Sequence, residues 1–89
     1  MNSEQESPLT FPTEFPIKAM GLASPVFEAS VIEIIRRHAP DLGESAVYSR
    51  TSKSGKYLSV TVTIQATSRA QLDAIYRDVT ACPEVLWAL

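Results

Sequence analysis

Apolar and polar residues alternate without a break from Tyr57 to Ala66: Leu58, Val60, Val62, Ile64 and Ala66 fall on one side, Tyr57, Ser59, Thr61, Thr63 and Gln65 on the other. Successive side chains of a strand point to opposite faces, so a period of two predicts a β-strand with one face for the core and one for water. A strand that is half polar over its whole length belongs to a sheet covered on one side only. That argues against a parallel sheet wrapped by helices on both faces and for an α+β domain.

The period changes to that of a helix over residues 25–38, where Phe27, Val31, Ile34, Ile35 and His38 make one stripe and Glu28, Glu33, Arg36 and Arg37 lie largely opposite. Ser24 suits the cap, Pro25 suits the first helical position, and Pro40 stops the helix. A second helix starts at Ser68-Arg69-Ala70-Gln71 in a capping-box pattern, carries Leu72, Ile75, Tyr76 and Val79 on one face, and is ended by Pro83. Residues 17–20, with Phe15 as the earliest start, read as the first strand, 21–25 as a loop, 47–51 as the second strand and 85–89 as the last. Ser52-Lys53-Ser54-Gly55 is turn chemistry that folds the second and third strands into an antiparallel hairpin. The Phe11-Pro12 and Phe15-Pro16 pairs hold the chain extended and offer two rings to the edge of the core.

Strand and helix therefore alternate as β-α-β-β-α-β. Two interlocked right-handed crossovers place four antiparallel strands in the order 4-1-3-2 with both helices on one face, the ferredoxin-like sandwich. Residues 1–10 read as a flexible tail and 11–89 as the single domain.

Composition changes this picture little. In 89 residues there are 8 Lys and Arg against 10 Asp and Glu. Glu4, Glu6 and Glu14 precede the expected first strand, leaving a balanced body without the dense basic face that phosphate-backbone binding needs. One cysteine, Cys82, permits neither an internal disulfide nor a multi-cysteine metal site. No leader or membrane-spanning run is visible, so the expectation is a cytoplasmic protein.

Candidate chemistry is sparse. The loop after the first strand lacks the cysteine pair that a soft-metal carrier would place there. His38 stands alone at a helix end, and Cys82 has no dedicated base beside it. Neither paired carboxylates on the sheet face nor a glycine-rich phosphate loop is present, so no enzyme, metal or cofactor is expected. Two weaker surfaces remain. Lys18, Met20, Gly21, Leu22 and Ser24 surround the start of the first helix, where free backbone donors and the helix dipole can receive an anion. Arg50, Ser52, Lys53, Lys56 and Tyr57 cluster at the hairpin and could meet a partner or an anionic group, beside an open sheet face whose Thr61, Thr63 and Gln65 are regular enough to pair with a second copy or partner. A single-stranded nucleic-acid binder would use Tyr57 with the Arg50, Lys53 and Lys56 cations. One ring is not a stacking platform, so nucleic acid is the lesser expectation.

Phe11-Pro12-Thr13-Glu14-Phe15-Pro16-Ile17-Lys18-Ala19-Met20-Gly21, His38-Ala39-Pro40, residues 50–61 and Gln71-Leu72-Asp73-Ala74-Ile75-Tyr76 resemble the YbeD-like family of small bacterial proteins. The resemblance covers nearly everything from Phe11 onward, and the Phe-Pro-x-x-Phe-Pro-Ile-Lys-x-x-Gly segment is its most specific part. It implies the ferredoxin-like fold and similarity to ACT domains that sense amino acids. No activity is implied; a link to lipoate metabolism is suggested by gene neighbourhood alone. Cys82-Pro83 stands where the family more usually has histidine-proline, which argues further against catalysis or metal binding there. The combined expectation is a non-enzymatic, ACT-like regulatory or interaction domain that pairs side by side with a second copy or contacts a partner.

Overall fold

The computed structural model describes residues 9–89; the tail expected over residues 1–10 lies outside the described residues as far as residue 8. The chain runs β1 (Thr13–Leu22), α1 (Pro25–His38), a 3-10 turn (Glu44–Ala46), β2 (Val47–Thr51), β3 (Tyr57–Ala66), α2 (Arg69–Thr80) and β4 (Val85–Ala88). The four strands form one antiparallel sheet in the order β2-β3-β1-β4, the ferredoxin-like arrangement.

The first strand is longer than its own residues suggest. Every position of β1 pairs with β3, from Thr13 opposite Ala66 to Leu22 opposite Tyr57, so Gly21 and Leu22 belong to the strand and the loop shrinks to Ala23 and Ser24. Glu14, expected ahead of the sheet, lies within it opposite Gln65. The long alternating partner supplies the ladder that β1 could not announce alone. Pro16 sits inside a central strand without breaking its ladder to β3. Lys18 N–H donates to the Leu89 carbonyl at 3.1 Å, on the β4 side. Residues two apart share that direction, so the donor that Pro16 lacks would have faced away from β3. Phe11-Pro12 behaves differently from the extended pair expected: its peptide is cis and it lies in a bend ahead of β1.

Both helices lie on the inner face of the sheet. Ile17, Phe27, Val31, Ile35, Val60, Val62, Ile75 and Val79 are fully buried between the two layers, and Leu9, Phe11 and Phe15 pack against that core at its edge. Ser24 Oγ accepts from Phe27 N–H at 3.0 Å, the cap the sequence implies. Ser68 Oγ does the same for Gln71 N–H at 3.0 Å. The glutamine completes the second cap one residue early, because its side-chain oxygen accepts from Thr67 N–H at 2.7 Å while its amide donates to the His38 carbonyl at 2.8 Å. Gln71 thus ties the start of α2 to the end of α1. His38 does not extend the core stripe; Ala39 takes that buried position, and His38 Nε2 lies 2.8 Å from Asp78 Oδ2 on α2. The expected Glu33 and Arg37 pair forms on the exposed face at 3.5 Å. The second helix closes at Ala81, two residues before Pro83, and Ser49 Oγ donates to Glu28 Oε2 at 2.9 Å to fasten β2 to α1.

Candidate functional site

Register decides which side chains share the uncovered face. Antiparallel partners point the same way, so the face is built in rows. Tyr48 lies opposite Thr61, which lies opposite Lys18; Arg50, Ser59, Met20 and Trp87 form the next row, and Tyr57 meets Leu22. Tyr48, Leu22 and Trp87, which are 62%, 53% and 42% exposed, share this side of the sheet, whereas the exposed Val26 lies on α1.

Charge is sorted by the same geometry. All three lysines, Lys18, Lys53 and Lys56, and also Arg50 lie on this face or on its hairpin. Glu14 is the one acidic residue at an outward strand position, and the seven acids that follow it sit on helices and the loops beside them. A chain balanced in composition is therefore polarised in space, basic on the sheet and acidic behind it.

At the hairpin end, Met20, Arg50, Thr51, Ser52, Lys53, Tyr57 and Ser59 line a groove of about 380 Å³. The turn is held from within. Ser52 N–H donates to the Tyr57 carbonyl at 2.8 Å, Ser52 Oγ accepts from Tyr57 N–H at 3.0 Å, and Gly55 supplies the positive φ of 81° that a residue with a side chain rarely adopts. Lys56 Nζ stands 5.5 Å from the centre of the Tyr57 ring, within cation–π range.

The two residue sets read from the sequence do not remain two sites. Met20 joins Arg50, Ser52, Lys53 and Tyr57 in the hairpin groove. Lys18 lies on the same face but four strand positions from Leu22, about 13 Å away along the strand. Gly21 points in the opposite direction, into the core, beneath Phe27 and the Glu84 carbonyl. Leu22 and Ser24 border a separate hollow of about 460 Å³ with Ala23, Pro83, Glu84 and Leu86, and the Ser24 hydroxyl oxygen already accepts the helix bond. Sequence reasoning missed Tyr48 and Trp87. Tyr48 could have been placed by its parity once the hairpin register was known. Trp87 could not, because the β1 to β4 register shifts between Met20 and Gly21.

The reactive side chains are otherwise engaged. Cys82 Sγ lies 3.2 Å from Glu84 Oε1, and burial, with that carboxylate beside it, pushes the thiol pKa up. A thiol with fewer thiolate molecules at a given pH reacts more slowly. Iodoacetamide at pH 8 is accordingly expected to alkylate Cys82 in the native domain more slowly than in the same chain unfolded in urea; equal rates would contradict this placement. Among the described residues no group of three His, Cys, Asp or Glu side chains could hold a metal, and no helix is long and apolar enough to cross a membrane.

Comparison with known proteins gives the same architecture and a family. Protein HP0495 from H. pylori, solved in solution, superposes with a TM-score of 0.74 over 100% of this chain and 94% of its own at 15% identity, a likeness of fold alone. A UPF0250 protein of Chromobacterium violaceum is 43% identical across the full length of both chains. Another, from Janthinobacterium sp., is 44% identical over 94% of this chain and 92% of its own. The family model described as "Protein of unknown function (DUF493)" matches residues 6–89. On that span and those identities, the chain belongs to the DUF493 family of small bacterial proteins, in agreement with the YbeD-like character of its Phe-Pro and hairpin segments.

Proposed function

We propose that this domain is a non-enzymatic interaction module whose open sheet face docks an acidic, partly apolar segment of a partner protein. The observation that supports the reading is the sorting of charge: Lys18, Arg50, Lys53 and Lys56 surround Tyr48, Tyr57, Met20, Leu22 and Trp87, with Glu14 the one outward-facing acid among the strands. Aromatic rings and arginine are the side chains that anchor protein interfaces, and cations at the rim select an acidic partner and speed its encounter. The ACT-like regulatory form of the proposal makes the partner an enzyme, with lipoate metabolism as the setting suggested by family association.

Selection from a displayed random-peptide library tests the docking reading directly. Enriched sequences are expected to combine Asp or Glu with aromatic or aliphatic residues and to lose binding when Tyr57 is replaced by Ala. Enrichment without acidic residues, or binding indifferent to the sheet face, would overturn it. Side-by-side pairing of two copies through the free edge of β4 is the self-association form of the proposal; a light-scattering mass that stays monomeric up to millimolar concentration removes that form.

A second reading has its own support, since three rings rather than one share the face with four cations. Single-stranded nucleic acid would stack on Tyr48, Tyr57 and Trp87 while its phosphates met the lysines. This reading requires affinity for a labelled oligothymidylate that falls steeply with salt and with Tyr57→Ala. The acidic helical side and the net charge of −2 oppose steering of a polyanion, which is why an acidic peptide segment is the preferred occupant.

A further inference from the structure

Within the docking reading just given, on which this step rests, we infer that the hairpin groove is a subsite for one acidic side chain of the partner carried next to an aromatic or large apolar one. Among the described residues, Arg50 and Lys53 have no ion-pair partner, and no Asp or Glu lines the groove between them. Two like charges held at one turn without a counter-charge leave an electrostatic vacancy that a carboxylate fills. Arg50 offers a planar fork of donors suited to both carboxylate oxygens, Lys53 a mobile single charge, and Ser59 a hydroxyl from the neighbouring strand. Met20 and the Tyr57 ring, with Lys56 Nζ 5.5 Å from its centre, supply the apolar side of the groove. A volume of about 380 Å³ is at the small end for ligand sites, enough for one side chain and a carboxylate and too little for a folded element.

Four other hollows among the described residues each hold an Asp or Glu, including the groove along α1 where Arg36 and Arg37 stand beside Glu33. The one between the helices holds Glu33 and Asp78, and its Arg37 is already paired with Glu33. The one beside Leu22 holds Glu84 and no cation. An anion would be repelled from either.

The test uses two blocked dipeptides, N-acetyl-phenylalanyl-aspartate amide and the neutral twin with asparagine in place of aspartate, titrated into the full 15N-labelled chain and followed by NMR. The acidic dipeptide is expected to shift the amides of Arg50, Ser52, Lys53, Tyr57 and Ser59 with a dissociation constant of about 1 mM, in keeping with a ligand of this size. The asparagine twin and the Arg50→Gln variant should each bind about tenfold more weakly, the cost of one charge-assisted contact. Arg50 is exposed, so its variant keeps the fold, and its own spectrum checks that. Equal binding of the two dipeptides, shifts confined to other residues, or full displacement by equimolar inorganic phosphate would overturn the subsite. Acidic library peptides that bind Arg50→Gln undiminished would remove the groove while leaving the docking face intact. A library without acidic preference would remove the face, whatever the dipeptides do.

Discussion

Gly21→Val is expected to destabilise the domain so strongly that it unfolds at urea concentrations where the native chain is still folded. An ideal Cβ at this position falls on the Glu84 carbonyl oxygen and within 2.6 Å of two Phe27 ring carbons, closer than real side chains come to such atoms. Neither neighbour can yield cheaply. Phe27 is fully buried at the start of α1, and Glu84 leads directly into β4, whose Val85 pairs with Gly21 itself. Relief would have to lift β4 from the sheet or drive Phe27 out of its place, at about 3 kcal/mol or more. Against a total of about 5–10 kcal/mol for a domain of this size, that is a large fraction. Urea denaturation should show the midpoint lowered by about 2 M. Gly43→Ala is the control, since its Cβ meets nothing within 4 Å, and its midpoint should barely move. Gly21→Ala combined with Phe27→Leu should cost less than the two changes added, because the smaller residue leaves room for the methyl group. A Gly21→Val chain that melts like the native one would refute this packing. The close approach that glycine permits here is therefore between two parts of the same chain.

The second large effect concerns recognition rather than folding. Replacing Arg50 and Lys53 together by Glu is expected to weaken binding of library-selected acidic segments by about 100-fold or more, because two attractions become two repulsions and like charges across an interface cost several kcal/mol. Both side chains are exposed and neither is paired with another described residue, so the thermal midpoint should change little. The loss should shrink as salt is raised, since exposed charges are screened over about 8 Å at physiological ionic strength. The readout is a titration of one selected peptide into native and doubly substituted chains at low and high salt. Retained affinity at low salt would mean that the partner docks elsewhere. Reversal at Arg36 and Arg37 on the exposed side of α1 supplies the matched control, since it changes net charge equally and leaves the sheet face untouched.

How far such sites could be read in advance depended on whether the signal was local. The hairpin cations and Tyr57 lie close together along the chain, so their clustering needed only a turn between Thr51 and Tyr57. Met20 comes from another strand and reaches the groove only because it pairs with Ser59, a partner set by the register of β1 on β3. Trp87 arrives on the face through β4, a strand of four residues whose short pattern and shifted register give no reliable parity. The loop set failed to gather for the converse reason. Lys18 to Leu22 are neighbours in sequence, but a strand sends alternate neighbours to opposite faces, and Gly21 went to the core.

By itself, the sequence determined what short-range physics can encode: the alternation of β3, the helical stripes, the caps at Ser24 and Ser68, the hairpin turn, and from their order the ferredoxin-like topology. Only the tertiary structure decided how far β1 extends, where Gly21 points, and which residues meet on the uncovered face. The physical reason is that strand extent and register are properties of pairs. A strand gains its ladder bonds, and its side chains gain their neighbours, from residues distant in sequence, so net charge can be balanced along the chain and still be divided between the two sides of the fold.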